Sequence, residues 1–246
     1  MKSARFLNRL SPPHVVTLVL LAGLSTLAMN IFLPSLPGMA DWFRVDYAVM
    51  QLSVSFYLAG SAVLQIIVGP LSDRFGRRPV ILVALVIFIL ATLAALLAPS
   101  AEWFLAARVV QAVVATGMAL SRAVIRDMFP QDDAQRVMAQ VTIFFGVAPA
   151  VAPMVGGLLI AHTDWHAIFW LLAAVGALLW WVNWRWLPET LDVAQRQPMH
   201  IGNLLRGYWQ LGSSPRFIAL AFASGIPFNG MFLYVLSAPV FLGEIL

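Results

Sequence analysis

The sequence has 246 residues, of which 61% are hydrophobic and 11% charged, with a formal net charge of +4 and no cysteine. Because the hydrophobic residues come in long runs and the mean hydropathy is +0.86, a soluble globular domain is excluded and an integral membrane protein is predicted. The lack of cysteine excludes a disulfide framework, thiol catalysis and Cys-ligated zinc. Basic residues that lie between apolar runs argue against a nucleic-acid partner.

Seven apolar runs are long enough to cross a hydrocarbon layer of roughly 30 Å as helices. Their continuity excludes the alternating strands of a barrel, so we expect an all-α membrane protein. The basic N-terminus resembles a signal-peptide n-region, but the run that follows has no small-residue cleavage site and is predicted to remain as a span. The predicted spans are residues 15–36, 49–71, 79–98, 104–125, 137–162, 166–187 and 217–241.

The basic residues alternate between the connectors. All Lys and Arg except Arg44 and Arg108 lie at the N-terminus, in every second connector or at the span ends that flank those connectors, and the positive-inside rule therefore predicts a cytoplasmic N-terminus. The longest polar connector separates a six-span block from the seventh span. The predicted domains are a six-helix bundle over 1–187, a cytoplasmic linker over 188–216 and the first helix of a second bundle over 217–246.

Polar side chains are distributed unevenly among the spans. Span three has a single hydroxyl and span six is aliphatic and aromatic until its cytoplasmic end, so both are expected to face lipid. Spans one, two and four carry polar residues at helical spacing and are expected to line a wet cavity, since each polar group in lipid costs on the order of 1–3 kcal/mol. Pro34 and Pro37 either end the first helix or bend it beside a substrate site.

Residues 69–80, GPLSDRFGRRPV, contain an aspartate and three arginines and are predicted to form the short cytoplasmic loop between spans two and three. Their spacing resembles the major facilitator superfamily signature G-x-L-a-D-r-x-G-r-r/k-x-x-l. The resemblance implies a cytoplasmic gate, in which the aspartate helps to hold the outward-facing state through a helix of the second half. The residues assigned to this gate are Gly69, Asp73, Arg74, Gly76, Arg77 and Arg78.

Span four resembles the drug:proton antiporters of that superfamily. Arg108 and Gln111 match the R-x-x-Q-G element of these antiporters, with Ala112 where the family has glycine, and residues 121–127 are similar to the R-A-x-x-R-D ending of the Bcr/CflA-like branch. The resemblance implies a role for Arg108 in proton coupling. Because this residue lies only about a turn inside the predicted span, snorkelling to the outer interface competes with burial.

Span five resembles the antiporter motif G-P-x-x-G-G, with Ala152 in place of its first glycine. Prolines bend a membrane helix and small residues permit close helix crossing, so ordinary packing accounts for the motif equally well. The predicted helix-packing residues are Pro149, Pro153, Gly156 and Gly157.

Two departures from the family pattern affect the functional prediction. Bcr/CflA-like proteins often carry a carboxylate in span one where this chain has Asn30, so a proton carrier embedded in the membrane is not visible. The family also has twelve spans in two bundles. We therefore expect either a truncated twelve-helix protein or a chain that needs a second chain to supply the missing half.

The resemblance implies proton-coupled multidrug efflux by alternating access across a bacterial inner membrane. The expected partners are small amphipathic drugs, protons and the lipid bilayer, with no enzyme activity, cofactor or metal. An importer of a sugar or other metabolite and an inactive fragment are the alternatives; a photoreceptor would need a lysine in the last span, and a hydrolase a nucleophile–base pair. The candidate drug contacts, in a cavity between spans one, two, four and seven, are Met29, Asn30, Tyr57, Gln65, Gln111, Met118, Phe228 and Asn229.

Overall fold

The computed structural model describes residues 15–196, 201–226 and 230. The chain divides into two compact units, Met1–Gln197 and Pro198–Leu246, and each is described by itself. Six stretches in the described part of the first unit are long and apolar enough to cross a membrane, and they confirm the first six predicted spans. These stretches are Val16–Phe43, Tyr47–Phe75, Arg77–Leu96, Ala101–Met128, Gln131–His162 and His166–Trp186.

The first span is an interrupted helix. Helix α1 (Val15–Asn30) is followed by a 3-10 turn (Leu33–Ser35) and by α2 (Leu36–Phe43). Pro34 and Pro37 each lie in the first turn of a new helical segment, where a missing backbone N–H costs no hydrogen bond. The prolines therefore interrupt the first span after Asn30, and the span continues as α2 to Phe43.

The second and third spans are joined by one residue. Helix α3 (Tyr47–Phe75) ends at Gly76, and α4 (Arg77–Leu96) begins immediately after it. The prediction that residues 69–80 form a loop is therefore wrong: all of them except Gly76 are helical. Gly76 has φ 101° and ψ 158°, a conformation that only glycine adopts readily, and this allows the chain to reverse in a single step.

The fourth span changes its helical form near its middle. Helix α5 (Ala101–Gln111) passes through a 3-10 turn (Ala112–Val114) into α6 (Ala115–Met128). The last two spans are the single helices α7 (Gln131–His162) and α8 (His166–Trp186).

The first and fourth spans form the centre of this unit and are its most buried spans, whereas α3 and α7 are its most exposed. Helix α4 packs against α5 and α8. The expectation that spans three and six face lipid is wrong for one side of each, because Phe88 and Thr92 of α4 and Phe169 and Leu172 of α8 are fully buried. Their apolar composition suits helix packing as well as it suits lipid.

The described part of the second unit contains two helices, α9 (Ile201–Gly212) and α10 (Pro215–Ile226). Helix α9 exposes Leu205 and Trp209. The predicted seventh span, 217–241, is described only as far as residue 226 and at residue 230. The predicted contacts Phe228 and Asn229 lie outside the described residues.

Candidate functional site

Arg108 is fully buried in the centre of the first unit, so burial and not snorkelling describes its position. Its Nη1 group donates to the backbone carbonyl of Ala28 at 3.2 Å and to the side-chain carbonyl of Gln111. The guanidinium carbon lies 4.2 Å from the ring centroid of Phe32 and 4.6 Å from that of Tyr57, which are cation–π distances. We call the following residues the arginine cluster: Phe32, Tyr57, Thr92, Arg108 and Gln111.

The arginine cluster lies at the carboxyl end of α1. Ala28 is in the last turn of that helix, where carbonyls lack an ordinary partner in the next turn and carry the negative end of the helix dipole. The guanidinium of Arg108 therefore receives stabilisation from a helix end. The Tyr57 hydroxyl donates to another carbonyl of α1, that of Ser25, at 2.9 Å, so α3 and α5 both bond to the interrupted helix.

The cluster retains unused hydrogen-bonding capacity. Nε and Nη2 of Arg108, Oδ1 of Asn30 and Oγ1 of Thr26 are buried without a hydrogen-bond partner among the described residues. No described carboxylate lies within ion-pair distance of Arg108. A buried cation without a counter-ion costs several kcal/mol, and the free donors can bond to an acceptor group that enters the cluster.

Gln111 links Arg108 to the third span. Its Nε2 donates to the Thr92 hydroxyl at 2.7 Å, and that hydroxyl donates to the backbone carbonyl of Phe88 at 2.7 Å. The 3-10 turn begins directly after Gln111, and a Cβ built at Gly60 of α3 would lie 3.1 Å from the Cβ of Ala112. The turn is therefore held closely between α3 and α4.

The structure brings two of the predicted drug contacts, Tyr57 and Gln111, together beside Arg108. Met29 and Asn30 are buried in the last turn of α1, where Asn30 donates through Nδ2 to the carbonyl of Thr26 at 2.8 Å. Met118 is half-buried on α6. These contacts thus lie mainly within the bundle and not on an open surface.

The polar stripe predicted for the second span does not face the bundle interior. Ser55 and Gln65 are exposed on α3, whereas the face that packs inward contains Ser53, Tyr57 and Ser61. Small hydroxyl side chains can bond back to their own helix, as Ser53 does to the Met50 carbonyl at 2.6 Å, and therefore fit a tight helix interface better than a glutamine does. The structure does not bring Gln65 to the arginine cluster.

A second group of charges lies at the turn between α3 and α4. Arg77 is almost fully buried, and its Nη1 lies 2.6 Å from the carboxylate of Asp73 while its Nε donates to that of Asp127 at 3.0 Å. Nη1 also donates to the Ser72 hydroxyl. Arg77 thus joins α3 to the last turn of α6. We call Asp73, Gly76, Arg77, Asp127 and Glu189 the corner cluster.

Glu189, which follows α8, caps the start of α4. Its two carboxylate oxygens accept hydrogen bonds from the backbone N–H groups of Arg77 and Arg78, at 2.9 and 3.3 Å. A carboxylate at a helix N-terminus is favoured by the free N–H groups and by the helix dipole. A Cβ at Gly76 would lie 2.9 Å from the carboxyl carbon of Glu189, so the glycine permits this approach as well as the reversal of the chain.

The remaining residues of the predicted gate have different environments. Arg78 donates through Nη2 to the carbonyl of Trp184 at 2.7 Å. Arg74 is exposed, and its guanidinium carbon lies 5.1 Å from the ring centroid of Phe75. A Cβ at Gly69 would meet no atom within 4 Å, so close packing within the described chain does not require a glycine there.

The predicted packing motif of the fifth span meets the first span. A Cβ at Gly156 would overlap the carbonyl oxygen of Ile31 and lie 2.9 Å from its carbonyl carbon, whereas a Cβ at Gly157 would meet nothing within 4 Å. Helix α7 therefore crosses the interrupted first span directly over its break. Within α7, Pro149 is buried and Pro153 half-buried.

The sequence reasoning did not assign four of the residues in these clusters to the site: Phe32, Thr92, Asp127 and Glu189. Thr92 carries the only side-chain hydroxyl of span three, and a single polar group in an apolar helix is a signal for a hydrogen bond to a neighbouring helix. Glu189 is distant in sequence from the signature that it caps, and spacing alone contains no signal for their contact.

Comparison with known proteins identifies the family. Residues 18–246 match the Major Facilitator Superfamily. The chain is 31% identical to a bicyclomycin resistance protein homolog of Haemophilus influenzae, covering 92% of this chain and 57% of the relative. It is 34% identical to multidrug resistance protein D of Escherichia coli, covering 78% of this chain and 48% of the relative. The chain thus spans about half the length of these relatives.

A solved structure shares the fold. The human organic anion transporter MFSD10 superposes with a TM-score of 0.60 at 26% identity, over 75% of this chain and 49% of the human protein. The family match indicates a transporter and not an enzyme, and the drug-resistance names of the relatives confirm the predicted resemblance to the drug:proton antiporters. The chain is a multi-pass membrane protein and belongs to the Major Facilitator Superfamily.

Proposed function

We propose that this chain forms the amino-terminal bundle of a proton-coupled multidrug efflux transporter that works by alternating access. The observation that carries the proposal is the buried Arg108, a cation held by a helix end, an amide and two aromatic rings, with two donor groups left unpaired among the described residues. The relatives named for bicyclomycin resistance and multidrug resistance support drugs as the substrate class.

In this proposal Arg108 does not itself carry the transported proton, because a guanidinium keeps its proton in proteins. It supplies a fixed positive charge that repels a second cation inside the protein, where Coulomb interactions are strong. A proton and a cationic drug would then compete for one anionic group beside the cluster, because the fixed charge of Arg108 disfavours two further positive charges there at once. Such competition is the requirement for exchange. The proton-binding carboxylate would come from outside the described residues, because this chain has Asn30 in span one.

A second bundle would cover the exposed apolar sides of α3 and α7 and complete the drug route. Those sides carry large apolar residues that include Phe56, Val63, Phe144 and Met154. Flexible methionine and aromatic side chains suit varied apolar cargo. Met29, Met118 and the amides of Asn30, Gln65 and Gln111 would provide the contacts in this bundle. Phe228 and Asn229, together with residues of the second bundle or of a second chain, would provide the rest.

The proposed setting is a bacterial inner membrane with the N-terminus in the cytoplasm. Apart from Arg44 and Arg108, every basic residue lies at the N-terminus or in or beside the connectors that follow spans two, four and six. Basic residues in such connectors are retained on the cytoplasmic side. The corner cluster then lies at the cytoplasmic end of the bundle. In the outward-facing state the half-exposed Asp73 would contact a helix of the second bundle and help to hold that end closed.

The test is extrusion of preloaded ethidium from energised cells that express the protein, with the proton gradient across the cell membrane as the driving force. Two proteins are compared, the 246-residue chain and the same chain completed by the five carboxyl-terminal spans of the Haemophilus influenzae relative. We expect gradient-dependent extrusion by the completed chain that a protonophore abolishes. A completed chain that reaches the membrane in monodisperse form, yet extrudes no drug where the intact relative does, would refute the proposal.

A further inference from the structure

An apolar groove opens on the side of the bundle between α3 and α4. Val113 and Thr116 of the fourth span form its floor, and its walls are carbon atoms of residues that include Leu64, Leu71 and Val83. Its volume is about 320 Å³, and Ile67 and Val83 are about half exposed at its rim. Water has no hydrogen-bond partners along such walls, so hydrocarbon is the filling that the groove favours.

The dimensions of the groove fit one acyl chain. It follows α3 from Leu64 to Phe75, which is about 16 Å at the rise of an α-helix, or roughly half of a 30 Å hydrocarbon layer. If each methylene-sized group needs about 30 Å³, the volume holds roughly ten of them. A chain from one leaflet would therefore occupy the groove with its head at the corner between α3 and α4.

The head end of the groove carries an unused cation. Phe75 lines the groove, and the guanidinium of Arg74 lies over its ring. Arg77 is bound by two carboxylates and Arg78 by a carbonyl, whereas Arg74 makes no hydrogen bond or ion pair to any described residue. Asp73, the nearest acid in sequence, is engaged by Arg77 at 2.6 Å. Arg74 is thus the member of the signature that is free to bind an external anion.

We propose that this groove and Arg74 form a binding site for one anionic phospholipid, with an acyl chain between α3 and α4 and the phosphate on the guanidinium. An arginine binds phosphate through parallel hydrogen bonds that a neutral side chain cannot replace. Basic pockets between membrane helices bind anionic lipid head groups. The proposal does not depend on the substrate being a drug.

The test uses native mass spectrometry of the purified 246-residue chain with phosphatidylglycerol or phosphatidylcholine of identical acyl chains. We expect one phosphatidylglycerol retained per protein, with about tenfold preference over phosphatidylcholine. Arg74→Gln should lose about tenfold in phosphatidylglycerol retention, and Val83→Trp, which fills the groove, should lose both lipids. The matched controls Arg136→Gln and Leu90→Trp, at exposed positions outside the groove, should behave as the wild type.

Four results would overturn the proposal. The first is equal retention of the two lipids by the wild type, and the second is unchanged retention by an Arg74→Gln protein whose helix content shows that it is folded. The third is displacement of the lipid by soluble glycerol phosphate, and the fourth is loss of the lipid when the chain is completed by a second bundle. The third would indicate a soluble phosphate ligand, and the fourth a groove that belongs to a protein interface. If Arg74→Gln does not fold, the wild-type lipid comparison and an Arg74→Lys variant, which keeps the charge, still decide the question.

Discussion

Gly76 and Glu189 fit together at the corner between α3 and α4: the carboxyl group of Glu189 occupies the space that a side chain at position 76 would fill. That carboxyl caps α4 through the N–H groups of Arg77 and Arg78. The glycine of the signature therefore has two roles, since it makes the one-residue turn and admits the cap from a segment more than a hundred residues away in sequence.

Replacing Gly76 should destabilise the bundle, and replacing Gly69 should not. Gly76→Ala meets both a positive φ and the Glu189 carboxyl, and we expect a loss of about 1–3 kcal/mol. Gly69→Ala lies in α3 with open space around it and should gain about 0.5–1 kcal/mol. Thermal unfolding of the two variants in detergent measures the difference, and equal melting temperatures would contradict the assigned roles.

Removing the cap tests Glu189 directly. Glu189→Ala leaves the first N–H groups of α4 without their acceptor, with an expected loss of about 0.5–2 kcal/mol. At roughly 2–4 °C per kcal/mol for a chain of this size, the melting temperature should fall by several degrees. The control is Asp192→Ala, an exposed acid whose carboxylate caps only the short turn at Ala194. A similar fall in both variants would show that Glu189 has no special role.

The hydroxyl of Thr92 is expected to support the arginine cluster. Thr92→Val keeps the shape of the side chain but leaves the Gln111 amide without its acceptor in a buried position, at a cost of about 1–3 kcal/mol. Thr142→Val on α7 is the matched control, because the Thr142 hydroxyl is exposed and bonds only to the Met138 carbonyl of its own helix at 2.9 Å. Chemical unfolding should separate the two variants, and identical stabilities would exclude the link between Gln111 and α4.

The crossing of α7 over the first span provides another matched pair. Gly156→Ala would drive a methyl group into the Ile31 carbonyl, and overpacking of this kind costs about 1–3 kcal/mol. Gly157→Ala adds a methyl group where nothing lies within 4 Å and should leave stability unchanged or raised. If the two substitutions have the same effect on unfolding, the helices do not cross at Gly156.

The membrane architecture could be predicted from the sequence because it depends on composition alone. Six apolar runs correspond to the six spans, with ends that differ by up to seven residues, since a hydrophobic stretch specifies a membrane helix wherever it occurs. Residues 69–80 read as a loop in the sequence because their high density of charged residues is typical of a connector, although all of them except Gly76 are helical. The exact turn depends on one φ angle and on a capping residue far away in sequence.

The direction in which each helix faces was harder to predict. Gln65 and Ser55 have helical spacing, yet they lie on the exposed side of α3, while the single hydroxyl of α4, Thr92, lies in the core. Polar residues at helical spacing show that one face of a helix is polar, but they do not show what that face contacts. In a membrane protein a polar face can contact either the helices of its own bundle or helices outside it. For Arg108 the resemblance indicates a functional role, but the sequence leaves burial and snorkelling open, and only the packing around the guanidinium decides for burial.

The proposed proton coupling depends on the guanidinium of Arg108, and its most direct test is drug extrusion by the completed chain measured over a range of pH. Arg108→Ala removes the charge, and Arg108→Lys removes the planar guanidinium that lies over the rings of Phe32 and Tyr57. Both should lose at least about tenfold in rate, or about 1.4 kcal/mol, and lose the pH dependence. Arg122→Ala, at an exposed position on α6, should keep both. A pH profile in the Arg108 variants that matches the wild type would contradict the coupling role.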